Sequence, residues 1–443
     1  MKKLRNLLLG AAAVVALSGV GYTQDEDLSV EGLYRKAGGF VAAGDMANAS
    51  KTFEQMFDLS GGTDTLFEDY GPGAGGFFFD YAGTLIPQQR WQDAKTALET
   101  CINSDEIAER VGSVIQSTNQ RKNSANYRLG IVEAAMENHG EAVRLYDLYL
   151  ANNPDPKEIQ MLRADFKLKR GASLLKLGRT EEGVTSIQEI FDNKDEWRVS
   201  PNSLMTGIFE LSSNWANEAG KAEGDLAKIQ NVEARAHAFL DKNLPAIDVA
   251  PFDKFRFQFA DRLLQLGADC TKKDLHSVAL RFFSEVPTLA EISGDIDLRL
   301  AQLPLGAGVP PIYQQYIDEV QRRNDAPFHP DAQALMFTAQ CYEKLGNMSA
   351  SRNAYWYLAE HHPDLDVEMR ARILHEASRL SAMNGDYNTA QYFGEKFMKE
   401  MPEDHELRNN VAAFTIQSLF TSGQFDLVVK VCESVFETNT EAG

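Results

Sequence analysis

Cysteine is scarce in this chain, and long apolar runs are scarcer. Cys101, Cys270, Cys341 and Cys432 are spread over 443 residues with no CxxC among them. That excludes a disulfide-dense scaffold and argues for no particular bridge. Each lies within or beside an apolar helical pattern, where a thiol acts as a small buried hydrophobe. The longest apolar stretch, Leu7 to Val20, is shorter than the ~20 residues a spanning helix needs, so the mature chain is expected to have no transmembrane segment. Positive charge is in deficit: 44 Lys and Arg stand against 64 Asp and Glu, a formal net charge of −20. With no compact basic run to override it, that balance excludes nucleic acid and anionic membrane surfaces as partners. Missing too are GxSxG, HExxH, a P-loop and a strand-borne Rossmann glycine pattern, so no enzyme, cofactor or metal site is expected.

What is present begins at the N-terminus. MKKLR is a basic start to the Leu7–Val20 stretch, and polar, acidic sequence follows from Gln24. This is the layout of a secretory signal peptide over residues 1–23, with Gly19, Gly21 and Thr23 near the cleavage point; an uncleaved anchor is the rival reading. The chain is therefore expected to be exported, periplasmic or secreted. No cysteine ends the apolar run, which excludes lipid attachment there. Apolar residues make up 44% of the chain, enough to bury a core.

The most regular stretch runs from Asp331 to Asp364. Ala339 and Tyr342 sit on a first amphipathic helix, Gly346 marks a turn, Ser351 and Tyr355 sit on a second helix, and Pro363 closes the unit. Gly346, Gly385 and Gly423 are 39 and 38 residues apart, a periodicity that stacked helices impose and unrelated ones do not keep. The spacing resembles the tetratricopeptide repeat: small–x2–Tyr, a turn, small–x3–aromatic, then proline. The resemblance implies an all-α chain, an α-solenoid of stacked helix–turn–helix units in a right-handed superhelix, of the exported bacterial type.

Further units follow the same pattern. Ala37, Phe40, Gly44, Ala49 and Phe53 make one; Ala82, Leu85, Trp91, Ala94 and Leu98 make a second that lacks a turn glycine. Gly130, Ala142, Tyr146 and Pro154 mark a third, and Gly171, Leu174, Gly178, Gly183 and Ile187 a fourth. Residues 28–200 thus read as N-terminal repeats. Residues 201–302 are less regular: a long hairpin at 202–243, then Ala260, Leu263, Gly267, Ala279 and Phe283, with Gly267 taken as the turn and residues 268–274 as an insertion in it. LPLGAGVPPI, Leu303 to Ile312, breaks the chain and gives a linker at 303–311, and 312–443 hold the C-terminal repeats. The Gly-rich stretch 60–76 contains GPGAGG without a following Lys-Ser or Lys-Thr, so it reads as a flexible loop rather than a phosphate loop. Phe425–Phe436 is apolar on more than one side, which implies either a shortened chain or an uncapped end that associates with a partner.

In tetratricopeptide arrays the first helices line a groove that holds protein or peptide partners. Carried over, those positions are Tyr127, Gln333, Met336, Gln340, Glu343, Lys344, Arg372, His375 and Arg379. Arg372 and Arg379 are seven apart on one helix face with His375 between them. The stripe either takes a carboxylate or acidic peptide or is a solvated face paired with Glu368 and Glu376. It departs from the repeated Lys and Asn of the family's best-known peptide clamps. His361-His362-Pro363-Asp364 reads as a solvated helix end, not a metal site. The expected function is a non-catalytic exported scaffold or adaptor in cell-envelope complexes. The alternative is a helical-repeat carbohydrate- or nutrient-binding protein with aromatic platforms such as Phe77 and Tyr81.

Overall fold

The computed structural model describes residues 29–112, 119–152, 156–249, 255–304, 308–326 and 330–441; the signal-like segment lies outside them. Among the described residues there is no strand, and no helix is long and apolar enough to cross a membrane. The chain divides into two compact units, Met1–Val199 and Ser200–Gly443. In the first, α1 (Val30–Ala42) pairs with α2 (Met46–Leu59); α3 (Thr63–Tyr70) leads to the hairpin of α4 (Gly75–Leu85) and α5 (Trp91–Ile102); α6 (Ser104–Arg110) precedes the hairpins α7 (Asn119–Ala135)–α8 (His139–Asn152) and α9 (Pro156–Lys176)–α10 (Thr180–Asp192). The second helix of one hairpin packs on the first of the next: α2 on α4, α5 on α7, α8 on α9. Each hairpin thereby buries its neighbour's apolar stripe, which is how such an array stabilises itself.

The second unit opens with the long hairpin α11 (Pro201–Lys221)–α12 (Leu226–Asn243), followed by α13 (Phe255–Thr271) and α14 (His276–Phe283). After α15 (Leu289–Leu300) and α16 (Pro311–Asn324) come α17 (Pro330–Lys344)–α18 (Met348–His361), α19 (Val367–Met383)–α20 (Tyr387–Glu400) and α21 (Arg408–Thr421)–α22 (Phe425–Glu441). The 303–311 stretch lies inside this unit, because α17 packs directly on α13 and α14. The hairpin α15–α16, whose first helix is not apparent from the repeat pattern, therefore stands beside the stack.

Most turns inside the hairpins share one backbone solution, the α11–α12 turn with its two left-handed residues Glu223 and Gly224 excepted. The N–H of Asn347 donates to Tyr342 O at 2.8 Å and that of Gly346 to Glu343 O at 2.9 Å, with Gly346 at φ +76°. This is the Schellman closure, which uses a left-handed residue to satisfy the last carbonyls of the first helix. Asp386 and Asp45 then cap the second helices, accepting from Thr389 N and Asn48 N. The second unit of the pattern lacks a glycine because Gln89 holds the left-handed position, at φ 58°; Glu137 and Asp274 do so in two other hairpins.

Crossing points pair a small residue with a large one sixteen positions later: Gly130 with Tyr146, Gly171 with Ile187, Gly267 with Phe283. A methyl group on these glycines would stand 2.6, 2.8 and 2.3 Å from the partner side chain. Gly267 is consequently inside α13 and not a turn; the turn is the short one at Lys272–Leu275, so there is no insertion to accommodate.

The Gly-rich stretch is a second departure from expectation. It is not a loop but α3, a 3-10 turn at Gly71–Ala74 and the start of α4, with Leu66, Phe67 and Ala74 buried. Gly75 permits this, since a side chain there would meet Ser104 Cβ at 2.9 Å. Periodicity failed because glycines in helix contacts read as breakers.

The lateral hairpin is anchored by charge. Arg323 Nη1 and Nη2 donate to the two oxygens of Asp261 on α13 at 2.7 and 2.8 Å, its Nε donates to Glu319 at 2.8 Å, and its guanidinium lies 4.9 Å from the centroid of the Phe257 ring. Hydrogen bonds from Arg322, with Arg323 beside it, hold the Glu319 carboxyl down to about 2, from 4.5. A depressed acid contributes stability above its unfolded value that is lost as pH falls through the folded one. Because Glu319 is partly solvated, the contribution is about 1 kcal/mol. Glu319→Gln should therefore lower stability by that amount at pH 7, with the gap closing between pH 4.5 and about 2 in urea melts.

Burial also governs the thiols. Cys101 and Cys270 are pushed up to about 11 and about 12 by desolvation, and Cys341 is raised for the same reason. Only Cys432 is partly exposed. An Ellman assay on the native chain should show one thiol reacting and three released by denaturant; more than one fast thiol would reject this packing.

Candidate functional site

A cleft of ≈ 510 Å³ is lined by residues of α17, α18 and α19 and by those just ahead of α21. Its floor is Met336, Tyr355, Met369, Ile373 and Leu407, and its rim is Gln340, Glu343, Arg372, His375, Glu376, Arg379 and Glu406. The floor follows from the helical period: Met369 and Ile373 are one turn apart on α19, and Met336 and Gln340 one turn apart on α17. Tyr355 is buried at the crossing with Ala339.

The basic stripe is neutralised within its own helices. Arg372 Nε donates to Glu368 at 3.2 Å, His375 Nδ1 lies 3.0 Å from Glu376, and Arg379 donates to Glu376 at 2.8 Å and to Glu343 on α17 at 2.7 Å. Burial alone would raise the Glu376 carboxyl, but the hydrogen bonds from His375 and Arg379 outweigh it and hold it below its ordinary value. Arg379 responds in the opposite direction, raised by the same two glutamates despite burial. Arg372 differs from Arg379: its side chain is 63% exposed and makes a single ion pair. Two arginines against Glu343, Glu376 and Glu406 leave the cleft one negative charge. That disfavours an acidic ligand and favours one that brings an apolar side chain with cationic neighbours.

Of the groove positions read from the sequence, Gln340, Glu343, Arg372, His375 and Arg379 come together here, with Met336 beneath them. Gln333 lies two turns back on α17 and Lys344 is exposed at its end; neither lines the cleft. Tyr127 belongs to the first unit, its ring among Tyr146, Tyr149 and Phe166 and its hydroxyl bonded to Asp165; burial and that carboxylate raise its phenol. Glu406 and Leu407 were missed because they lie between helices, where periodicity carries no signal.

The other elements suspected of chemistry are occupied structurally. Phe77 is buried against Tyr34 and Tyr70, at ring separations of 5.0 and 5.3 Å, and is no sugar platform. Tyr81 is half-buried, its hydroxyl donating to Glu54 at 2.9 Å. His361, His362 and Asp364 border a cavity of ≈ 670 Å³ with Asp325 and Asp331, but Asp331 spends its carboxylate on the Leu289 N–H at 3.1 Å. Among the described residues no three His, Cys, Asp or Glu gather as a metal site.

No family model matches the chain, and no curated protein does. Solved structures give distant likenesses. A tetratricopeptide repeat protein from Parabacteroides merdae is 10% identical, covering 88% of this chain and 98% of its own, at a TM-score of 0.30. The apo quorum sensor NprR from B. thuringiensis is 9% identical over 92% and 98%, at 0.32. The APC/C hetero-tetramer Cut9–Hcn1 is 12% identical over 99% and 84%, at 0.25. At such scores the assignment rests on the hairpins themselves, whose turns, crossings and stacking make this a helical-repeat protein of tetratricopeptide-like layout.

Proposed function

We propose that this protein is a non-catalytic, exported adaptor that seats an apolar side chain of a protein partner in the α17–α19 cleft. The observation that carries the reading is the cleft itself: an apolar floor open to solvent under a rim whose arginines are already paired. Such a site gains binding energy from the floor and orientation from the rim. The basic N-terminus and its apolar stretch support export. The net negative rim points to a partner segment whose apolar anchor is flanked by lysine or arginine.

A peptide-display selection against the whole chain tests this. Enriched sequences should share one large apolar residue with basic neighbours. Met369→Lys, which places a cation on the floor, should weaken them about tenfold or more, some 1.4 kcal/mol. Enrichment without an apolar anchor, or indifference to Met369→Lys, would sink the proposal.

A further inference from the structure

In the first unit, two arginines lack the ion-paired carboxylate that most other arginines of this acidic chain possess. Arg121 and Arg128 are seven apart on α7, so they share a face two turns apart. Gly76 and Gly83 are seven apart on α4. A methyl group at Gly76 would lie 2.6 Å from Arg121 Nη1, and one at Gly83 2.9 Å from Arg128 Nη1. Each guanidinium therefore rests in the notch left by a missing side chain. Both arginines are half-buried.

Their polar contacts are few. Arg128 Nη1 donates to Phe79 O at 2.9 Å and its guanidinium carbon sits 3.7 Å from the centroid of the Phe79 ring. Burial pushes its guanidinium down from the ordinary value. Asp80, between the two glycines on the same stripe of α4, accepts from the Tyr34 hydroxyl at 2.5 Å. Among the described residues no carboxylate comes within 4.0 Å of either guanidinium. By contrast, Arg90, Arg323, Arg370 and Arg379 all hold glutamate or aspartate closer than that. Asp80 favours the Arg128 charge through space without pairing with it; a desolvated guanidinium without a paired carboxylate is costly, and a bidentate carboxylate is what its planar fork accepts best.

We propose that Arg121 and Arg128 form a receptor for two carboxylates presented by an extended acidic segment of a partner protein. Seven helical residues separate the arginines by roughly 10 Å. A polyproline-type segment rises about 3.1 Å per residue with three residues per turn, so acids three positions apart face the same way at about 9 Å. The recognised pattern is thus acid–x–x–acid. Asp80, lying between the arginines, repels a third acid at the intervening positions. The glycine notches hold the guanidinium groups in place before the ligand arrives, which reduces the ordering cost of binding.

The test is fluorescence anisotropy on the full chain at low salt, with a labelled proline-rich peptide bearing glutamates three apart and its glutamine counterpart. The glutamate peptide should bind, and the glutamine peptide about tenfold more weakly or worse. Arg121→Gln and Arg128→Gln should each reproduce that loss, and added salt should weaken binding. Gly83→Ala keeps every charge but displaces the Arg128 guanidinium, so it should weaken binding with the thermal midpoint preserved. Met369→Lys, in the other unit, should leave it unchanged, which separates this site from the α17–α19 cleft. Equal binding of both peptides, insensitivity to both arginine substitutions, or no binding at millimolar peptide would overturn the proposal.

Discussion

Gly267→Ala is expected to lower the stability of the second unit by about 2 kcal/mol. The new methyl group would lie 2.3, 2.6 and 2.8 Å from three carbons of the Phe283 ring, and Phe283 is buried at the α13–α14 crossing with little room to retreat. Overpacking of this kind costs about 3 kcal/mol, against which alanine returns about 1 kcal/mol of helix propensity. The sign distinguishes packing from propensity, and Gly38→Ala supplies the control. Gly38 is exposed inside α1 with nothing within 4 Å of a new methyl, so there the substitution should stabilise by about 0.5–1 kcal/mol. Trimming the ring with Phe283→Leu should recover part of the Gly267→Ala loss. If urea melts showed Gly267→Ala neutral, or no recovery in the double variant, the close approach at this crossing would be wrong.

The same residue shows what could be read without coordinates. Where a glycine, an alternation of small and large residues and a closing proline agreed, as between Asp331 and Asp364, the hairpin and its turn were legible. Gly267 was misread because a glycine signals both a left-handed turn and a close helix crossing, and only the partner sixteen residues on tells them apart. Gln89, Glu137 and Asp274 hid their turns for the opposite reason: the backbone is left-handed and the residue is not glycine. Stretch 60–76 was misread because helix contacts made through glycine backbone leave no apolar stripe. For the cleft, one helical face of α19 was enough to collect Arg372, His375 and Arg379. What the one-dimensional pattern could not show was Glu343 reaching across from α17 to cancel the stripe. Partner identity lies further off still, since the rim is set by side chains from three separate segments.

Glu400→Gln should cost about 2 kcal/mol, and its effect should reach beyond its own hairpin. Arg370, at the first turn of α19, has a side chain only 5% exposed; its Nε donates to Glu400 at the end of α20 at 3.0 Å and its Nη1 to Ala359 O on α18 at 2.5 Å. One guanidinium thus joins two successive hairpins. Removing the partner of a fully buried charge costs some 3–5 kcal/mol because the charge is left stranded. Glu400 is about one-third exposed, at 32%, so water recovers part of that and the lower figure follows. Arg370→Met strands no charge, and adding Glu400→Gln to it should cost little more, giving a coupling energy of about 1–2 kcal/mol in a double-mutant cycle. Strict additivity would mean that the pair is ornamental. Because each hairpin in a stacked array is stabilised by its neighbours, the loss should also appear as faster amide exchange in α18 and α20 together, on both sides of the joint that Arg370 closes.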